Sequence, residues 1–166
     1  MQAPPIALTP VAARRIQSEL RDFTRNPPDG CLLETFEPIT TWSIRMDGPE
    51  AAPGMPRLYE GEVYRLQVKF SERYPLEPPE VVFVPPAVPV HEHIYSNGHI
   101  CLDILYDGHN GGWSPALTIN KVCLSLRSML GSSTEKQRPP GDTDYCMRVG
   151  NRSPKHTKWM FDDDRV

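Results

Sequence analysis

The densest chemistry in the chain lies in one irregular stretch, His91-Glu92-His93-Ile94-Tyr95-Ser96-Asn97-Gly98-His99-Ile100-Cys101-Leu102-Asp103. Imidazoles, a thiol and carboxylates this close together admit several chemistries. His91, His93, His99 and Cys101 are all possible metal ligands, but their spacing matches no usual structural-zinc pattern. A thiol protease needs a histidine brought to Cys101 from a distant segment, so neighbouring histidines do not argue for one. A thioester carrier asks less. Ser96-Asn97-Gly98 is a turn-forming triplet that would present Ile100-Cys101-Leu102 on a shallow surface. Asp103 would raise the thiol pKa if its carboxylate came near, and a weakly ionised cysteine still exchanges with an existing thioester. A buried structural cysteine is the remaining reading, and on these residues alone the alternatives stay open.

The other thiols, Cys31, Cys123 and Cys146, are scattered without a paired C-x-x-C knuckle, which suits reduced cysteines in cytosol or nucleus. A length of 166 residues fits one domain. A net charge of -3 gives no electrostatic reason to expect nucleic acid. No apolar run approaches the ~18 residues a bilayer span needs, and Met1 to Thr9 lacks the pattern of a secretory signal. Neither nucleic acid nor membrane is therefore expected as a partner. The 19 prolines cluster at Pro27-Pro28, Pro75 to Pro86 and Pro139-Pro140, between periodic apolar segments that they punctuate.

The elements that must hold the loop are legible. Thr9-Pro10 opens a helix whose apolar positions Ala12, Ala13, Ile16, Leu20 and Phe23 recur at helical spacing, until Asn26-Pro27-Pro28-Asp29-Gly30 stops it. Its arginines, Arg14, Arg15, Arg21 and Arg25, read as a solvated face. Strands are expected at Cys31 to Glu37, Thr41 to Met46, Val63 to Phe70 and Glu80 to Val84. Short connections without helices make them an antiparallel meander, hence an α+β fold. The proline loop Tyr74-Pro75-Leu76-Glu77-Pro78-Pro79 is rigid and exposed, and an aromatic before proline favours a cis Tyr74-Pro75 bond. Pro85 to Trp113 shows no period, and a loop that long in a compact domain is usually functional. Thr118 caps a second helix with the stripe Ile119, Val122, Cys123, Leu126, Met129 and Leu130, ended by Gly131. Cys123 is thus a core thiol, whereas Leu124 points off the stripe beside Lys121 and Ser128. Thr143 to Val149 reads as a short helix, and Trp159-Met160-Phe161 as an apolar anchor before the acidic Asp162 to Asp164. The organisation expected is a flexible start over 1–9, a core domain over 10–150 and a partly mobile tail over 151–166.

Several of these segments together resemble the ubiquitin-conjugating enzymes. They are Arg15 to Leu20, Tyr74-Pro75 with Pro78-Pro79, Ser96-Asn97-Gly98 through Ile100 to Leu105, and Trp113 to Leu117, in the family's usual order. The resemblance runs from about Pro10 to Leu130 and implies a helix on a four-stranded meander closed by later helices. Histidine at 93, where the family usually has asparagine, together with His99 and the segment around Thr157-Lys158-Trp159, resembles the W-type branch. That branch is associated with transfer to the α-amino group of flexible substrate N-termini. Glu92 departs from the proline usual in that triplet, and an insertion around Tyr106 to Gly112 lengthens the loop.

By the resemblance, Cys101 takes ubiquitin from an activating enzyme in an ATP-dependent pathway, with His93, His91 and Asp103 as further catalytic-site residues. Leu124, Lys121 and Ser128 would touch the carried ubiquitin. Arg14, Arg15, Leu76, Ser114, Pro115 and Ala116 would face the activating enzyme or a RING or U-box ligase. No cofactor and no metal is implied, and the expected compartments are cytoplasm and nucleus. An acid beyond the second helix usually assists lysine, and Glu135 does not fall cleanly at that place. A lysine-directed enzyme for ubiquitin or a related modifier, and a non-catalytic ubiquitin-binding variant, are the competing readings.

Overall fold

The computed structural model of the chain describes residues 6–161. Met1 to Pro5 and the acidic Asp162 to Asp164 lie outside the described residues. Helix α1 spans Pro10–Arg25, started by Thr9, whose Oγ1 accepts the Ala12 N–H at 3.1 Å. Proline in its first turn forfeits no helical hydrogen bond. Ala12, Ile16, Glu19 and Phe23 form its buried face, with Ala13 and Leu20 half-buried at the margin.

Strands β1 (Cys31–Thr35), β2 (Thr41–Asp47), β3 (Val63–Lys69) and β4 (Glu80–Phe83) form the expected antiparallel meander in the order β1-β2-β3-β4. Strand β1 ends before the expected Glu37, because its register against β2 slips between Leu33 and Thr35. Alternation buries Trp42, Ile44 and Met46 of β2 and Tyr64, Leu66 and Val68 of β3 on one face. Edge-to-face ring pairs join Trp42 to Phe70 at 5.0 Å and Phe70 to Tyr74 at 4.7 Å, carrying the core into the proline loop. The Tyr74-Pro75 bond is cis, as expected; Glu37-Pro38 and Pro85-Pro86 are cis as well.

Helix α2 (Ile119–Gly131) buries Ile119, Val122, Cys123, Leu126 and Leu130. Gly131 does not end it by a left-handed turn. It is the last helical residue, and Ser132 follows in right-handed conformation. The Ser132 hydroxyl and the Ser133 N–H take the carbonyls of Met129 and Leu130, so side chain and turn do the capping. Helix α3 (Asp142–Val149) begins one residue earlier than expected. A single 3-10 turn, Pro154–His156, follows, and Trp159 packs with ring centroids 5.1 Å from Tyr106 and 5.8 Å from Tyr145. Among the described residues, no helix is long and apolar enough to cross a membrane.

Candidate active site

The long loop between β4 and α2 is irregular yet anchored throughout. Gly98, at φ +93, lies so close to β4 that a Cβ would stand 1.8 Å from the Phe83 carbonyl oxygen. Only glycine fits there. The Phe83 N–H donates to the Gly98 carbonyl at 3.0 Å, which sets the Ser96–Gly98 turn against the sheet. Arg138, arriving after α2, donates to the carbonyls of Val88, Pro89 and Ile94 at 3.1, 2.6 and 3.1 Å. The Tyr59 hydroxyl donates to Val90 at 2.6 Å, and that of Tyr106 to Ile100 at 2.5 Å.

Cys101 emerges from this frame half-buried, its N–H donating to the His93 carbonyl at 2.8 Å. Its neighbours are not presented with it. Ile100 is fully buried and Leu102 nearly so, which corrects the expectation that Ile100-Cys101-Leu102 share a surface. Their apolar side chains serve the core, and the thiol alone reaches outward. Burial pushes that thiol up to about 11, with the Asp103 carboxylate as the second cause. The order matters, because the sequence points to Asp103 alone. Cys31 and Cys123 are buried and share a thiol hydrogen bond, while Cys146 is half-buried on α3.

The histidines divide by role. His91 is buried; its Nδ1 accepts the His93 N–H at 3.0 Å and its ring donates to the Met129 carbonyl. Burial and the nearby His93 lower its pKa to about 4, so the ring is neutral at neutral pH. His99 is buried too, with Nδ1 2.8 Å from the Tyr145 hydroxyl, and burial lowers its pKa. Both rings are buried and hydrogen-bonded. Among the described residues, no group of three His, Cys, Asp or Glu side chains converges as a metal site needs. His93 differs: its side chain is 14% exposed, with Nε2 3.8 Å from Glu92. It lines a cleft of about 140 Å³ with His91, Glu92, Met129 and residues 132–135. Glu135, expected to miss its place, is exposed on the rim of that same cleft.

Asp103 opens a 3-10 turn, Asp103–Leu105, and its carbonyl accepts the Gly112 N–H at 2.9 Å. The Trp113 N–H donates to Tyr106 at 3.0 Å, so the insertion closes on itself as an exposed hairpin-like loop. Leu124 is 50% exposed, with Lys121 and Ser128 also exposed, as their off-stripe positions require. Leu76, Ser114, Pro115, Ala116 and Arg14 are exposed. Arg15 is not part of that open surface. Its guanidinium pairs with Glu19 at 2.9 Å, donates to the Leu117 carbonyl at 2.8 Å and stacks over Tyr74.

Glu19 is the residue that sequence reasoning missed. Buried on α1, it accepts from Arg15, from the Tyr74 hydroxyl and, at 2.8 Å, from the Ile119 N–H at the start of α2. One carboxylate joins the first helix, the proline loop and the second helix. A charged residue on the apolar stripe, between Ile16 and Phe23, was the available signal. Arg138 carried none.

A family model described as ubiquitin-conjugating enzyme matches residues 15–161. The chain is 52% identical over 161 residues to ubiquitin-conjugating enzyme 15 of Arabidopsis thaliana, covering 96% of this chain and 94% of the relative. It is 50% identical over 154 residues to a probable ubiquitin-conjugating enzyme E2 W of Dictyostelium discoideum, covering 93% of this chain and 97% of that one. The fold is similar to the crystal structure of a ubiquitin conjugating enzyme E2 from Agrocybe aegerita. That comparison has a TM-score of 0.75 and 37% identity, over 87% of this chain and 99% of the other.

Proposed function

The chain belongs to the ubiquitin-conjugating enzyme family, in its W branch, and from that membership we propose that Cys101 carries ubiquitin and delivers it preferentially to α-amino groups of flexible protein N-termini. As a member it is a transferase that forms a thioester with ubiquitin and passes it on, with an activating enzyme and ligases as partners.

The observation that carries the proposal is the setting of Cys101: half-buried between the buried Ile100 and Leu102, its N–H held by the His93 carbonyl at 2.8 Å, in a surround that raises the thiol pKa chiefly by burial. A thiol kept protonated is a poor nucleophile towards amides but competent in exchange with a thioester, where the leaving thiolate is of its own kind. The same desolvation disfavours an incoming ammonium. A lysine, pKa ~10.4, must shed its proton at a cost of about 4 kcal/mol at pH ~7.4, whereas an α-amine at ~7.7–8.0 spends less than about 1 kcal/mol. His93, whose carbonyl holds the Cys101 N–H, is assigned as donor to the oxyanion formed when the amine attacks. Leu124, Lys121 and Ser128 are assigned to the carried ubiquitin, and Arg14, Leu76 and Ser114 to Ala116 to a RING or U-box ligase or the activating enzyme. Four free thiols favour cytoplasm and nucleus as its compartments.

With activating enzyme, ATP and ubiquitin, a reductant-sensitive adduct should form and vanish in Cys101→Ala. The loaded protein should then discharge to a lysine-free peptide with an open N-terminus much faster than to an N-acetylated peptide bearing one lysine. Equal rates would sink the α-amine assignment while leaving the carrier role intact. Unchanged transfer by His93→Asn at saturating amine would remove the oxyanion role.

A further inference from the structure

Away from Cys101, α3 and the segment after it enclose a cleft of about 360 Å³ lined by Arg148, Arg152, Ser153, His156, Thr157 and Lys158. Its charged wall is one-sided, in a chain whose net charge is -3. Four other exposed arginines stand beside carboxylates, Arg45 with Asp47, Arg57 with Glu60, Arg65 with Glu34 and Arg73 with Glu77, whereas Arg14, Arg21 and Arg25 are exposed on α1 without such a pair but do not line a cleft with one another. Among the described residues, Arg148, Arg152 and Lys158 have no such partner. Asp144 lies one turn before Arg148 on α3, yet no ion pair joins them.

The walls of the cleft are held in place. Arg152 donates to the Val149 carbonyl at 3.2 Å and to that of Arg148, which anchors it at the carbonyl end of α3. Arg148 lies 5.8 Å from the Tyr145 ring centroid. Thr157 Oγ1 is 2.9 Å from the Tyr145 hydroxyl, and Ser153 caps the turn that carries His156. Like charges placed together on fixed backbone repel one another, and an anionic occupant relieves that.

We propose that this cleft docks an acidic peptide segment, whose successive carboxylates pair with Arg148, Arg152 and Lys158. The cationic side chains are all exposed and spread around the cleft, so they form no buried cage for a single hydrated ion. Several carboxylates on one chain collect several weak pairings at once. A nucleic acid fits less well. No Phe, Tyr or Trp lines the cleft for base stacking, and beyond a Debye length the protein's net charge repels a long polyanion.

The test uses the full chain and a fluorescent, N-acetylated peptide of alternating Asp and Glu, which cannot act as an α-amine acceptor. Anisotropy should report binding that weakens at least tenfold between about 50 mM and about 300 mM salt. Arg148→Glu with Arg152→Glu should abolish it, and Arg148→Lys with Arg152→Lys should retain most of it. Binding that survives the charge reversal overturns the proposal. So does equal binding of an Asn/Gln peptide, or tighter binding of a single-stranded oligonucleotide. Lys158→Glu, beyond the end of α3, repeats the test where the double variant fails to fold. Adduct formation at Cys101 is followed in parallel: the reversal should leave it unchanged, so failure of the cleft and failure of the carrier role are told apart.

Discussion

Replacing Glu19 tests whether one buried carboxylate holds the partner-facing segments together. Its side chain is 7% exposed; Oε1 accepts the Ile119 N–H at 2.8 Å, and Oε2 accepts Arg15 Nε at 2.9 Å and the Tyr74 hydroxyl. Glu19→Ala strands the Ile119 N–H and the Tyr74 hydroxyl, two buried donors at about 1–3 kcal/mol each, while Arg15 partly rehydrates. The expected loss is about 4 kcal/mol, or roughly 10 °C in Tm for a chain of this length. Glu19→Gln keeps one acceptor and lets the Tyr74 hydroxyl turn round to accept, so about 2 kcal/mol is expected from the lost charge-assisted bond to Arg15. Urea unfolding at constant slope measures both. Tyr74→Phe should be costly in the wild-type background and neutral or favourable beside Glu19→Ala, because the stranded hydroxyl is gone. Loading from the activating enzyme should slow as well, since α1, the proline loop and the α2 start meet at this carboxylate. Costs below about 1 kcal/mol for both Glu19 variants, or additivity with Tyr74→Phe, would refute the reasoning.

Other outcomes follow from the same geometry. Alkylation of Cys101 should rise about tenfold per pH unit from pH ~7 to ~10 without levelling off, because the thiol ionises only near about 11. A plateau above pH ~8.5 contradicts that, and Asp103→Asn should speed the reaction only a few-fold, as the lesser cause. His91 titrates near 6.5 when unfolded and about 4 when folded, so the unfolded chain binds the extra proton. The stability it secures is complete above pH ~6.5 and drains as pH falls towards about 4, by about 2 kcal/mol at pH ~5. His91→Gln should flatten that part of the urea-midpoint profile, and an unchanged slope would assign the pH dependence elsewhere. Leu124→Glu should leave loading intact but slow discharge by about tenfold to a hundredfold, the value of one buried leucine contact with the carried ubiquitin. Unaltered discharge would free Leu124 from that role.

The local grammar of the chain settled most of the scaffold. Thr9-Pro10 and Thr118 start helices because a hydroxyl cap and a pre-set φ act within one turn, whatever the rest of the protein does. Alternation in β2 and β3, and the apolar stripe that claimed Cys123 for the core, are periodicities of single elements. Even the Ser96–Gly98 turn was legible, since its residue types favour a tight bend.

What depends on distance along the chain was not. Arg138 bonds to carbonyls more than 40 residues away, and the Glu19 carboxylate meets the Ile119 N–H across 100 positions. No local preference encodes such meetings; only packing creates them. The same holds for Arg15, which an isolated helix would leave solvated and the folded chain turns inward onto Leu117 and Tyr74. For Cys101, residue order identified the thiol and its neighbouring acid, but its state is set by burial, a property of the whole fold. Sequence alone thus pointed to the residues that could hold the chemistry. Tertiary structure decided which of them stay reachable and which are charged, because desolvation and long-range hydrogen bonds exist only once distant segments have packed.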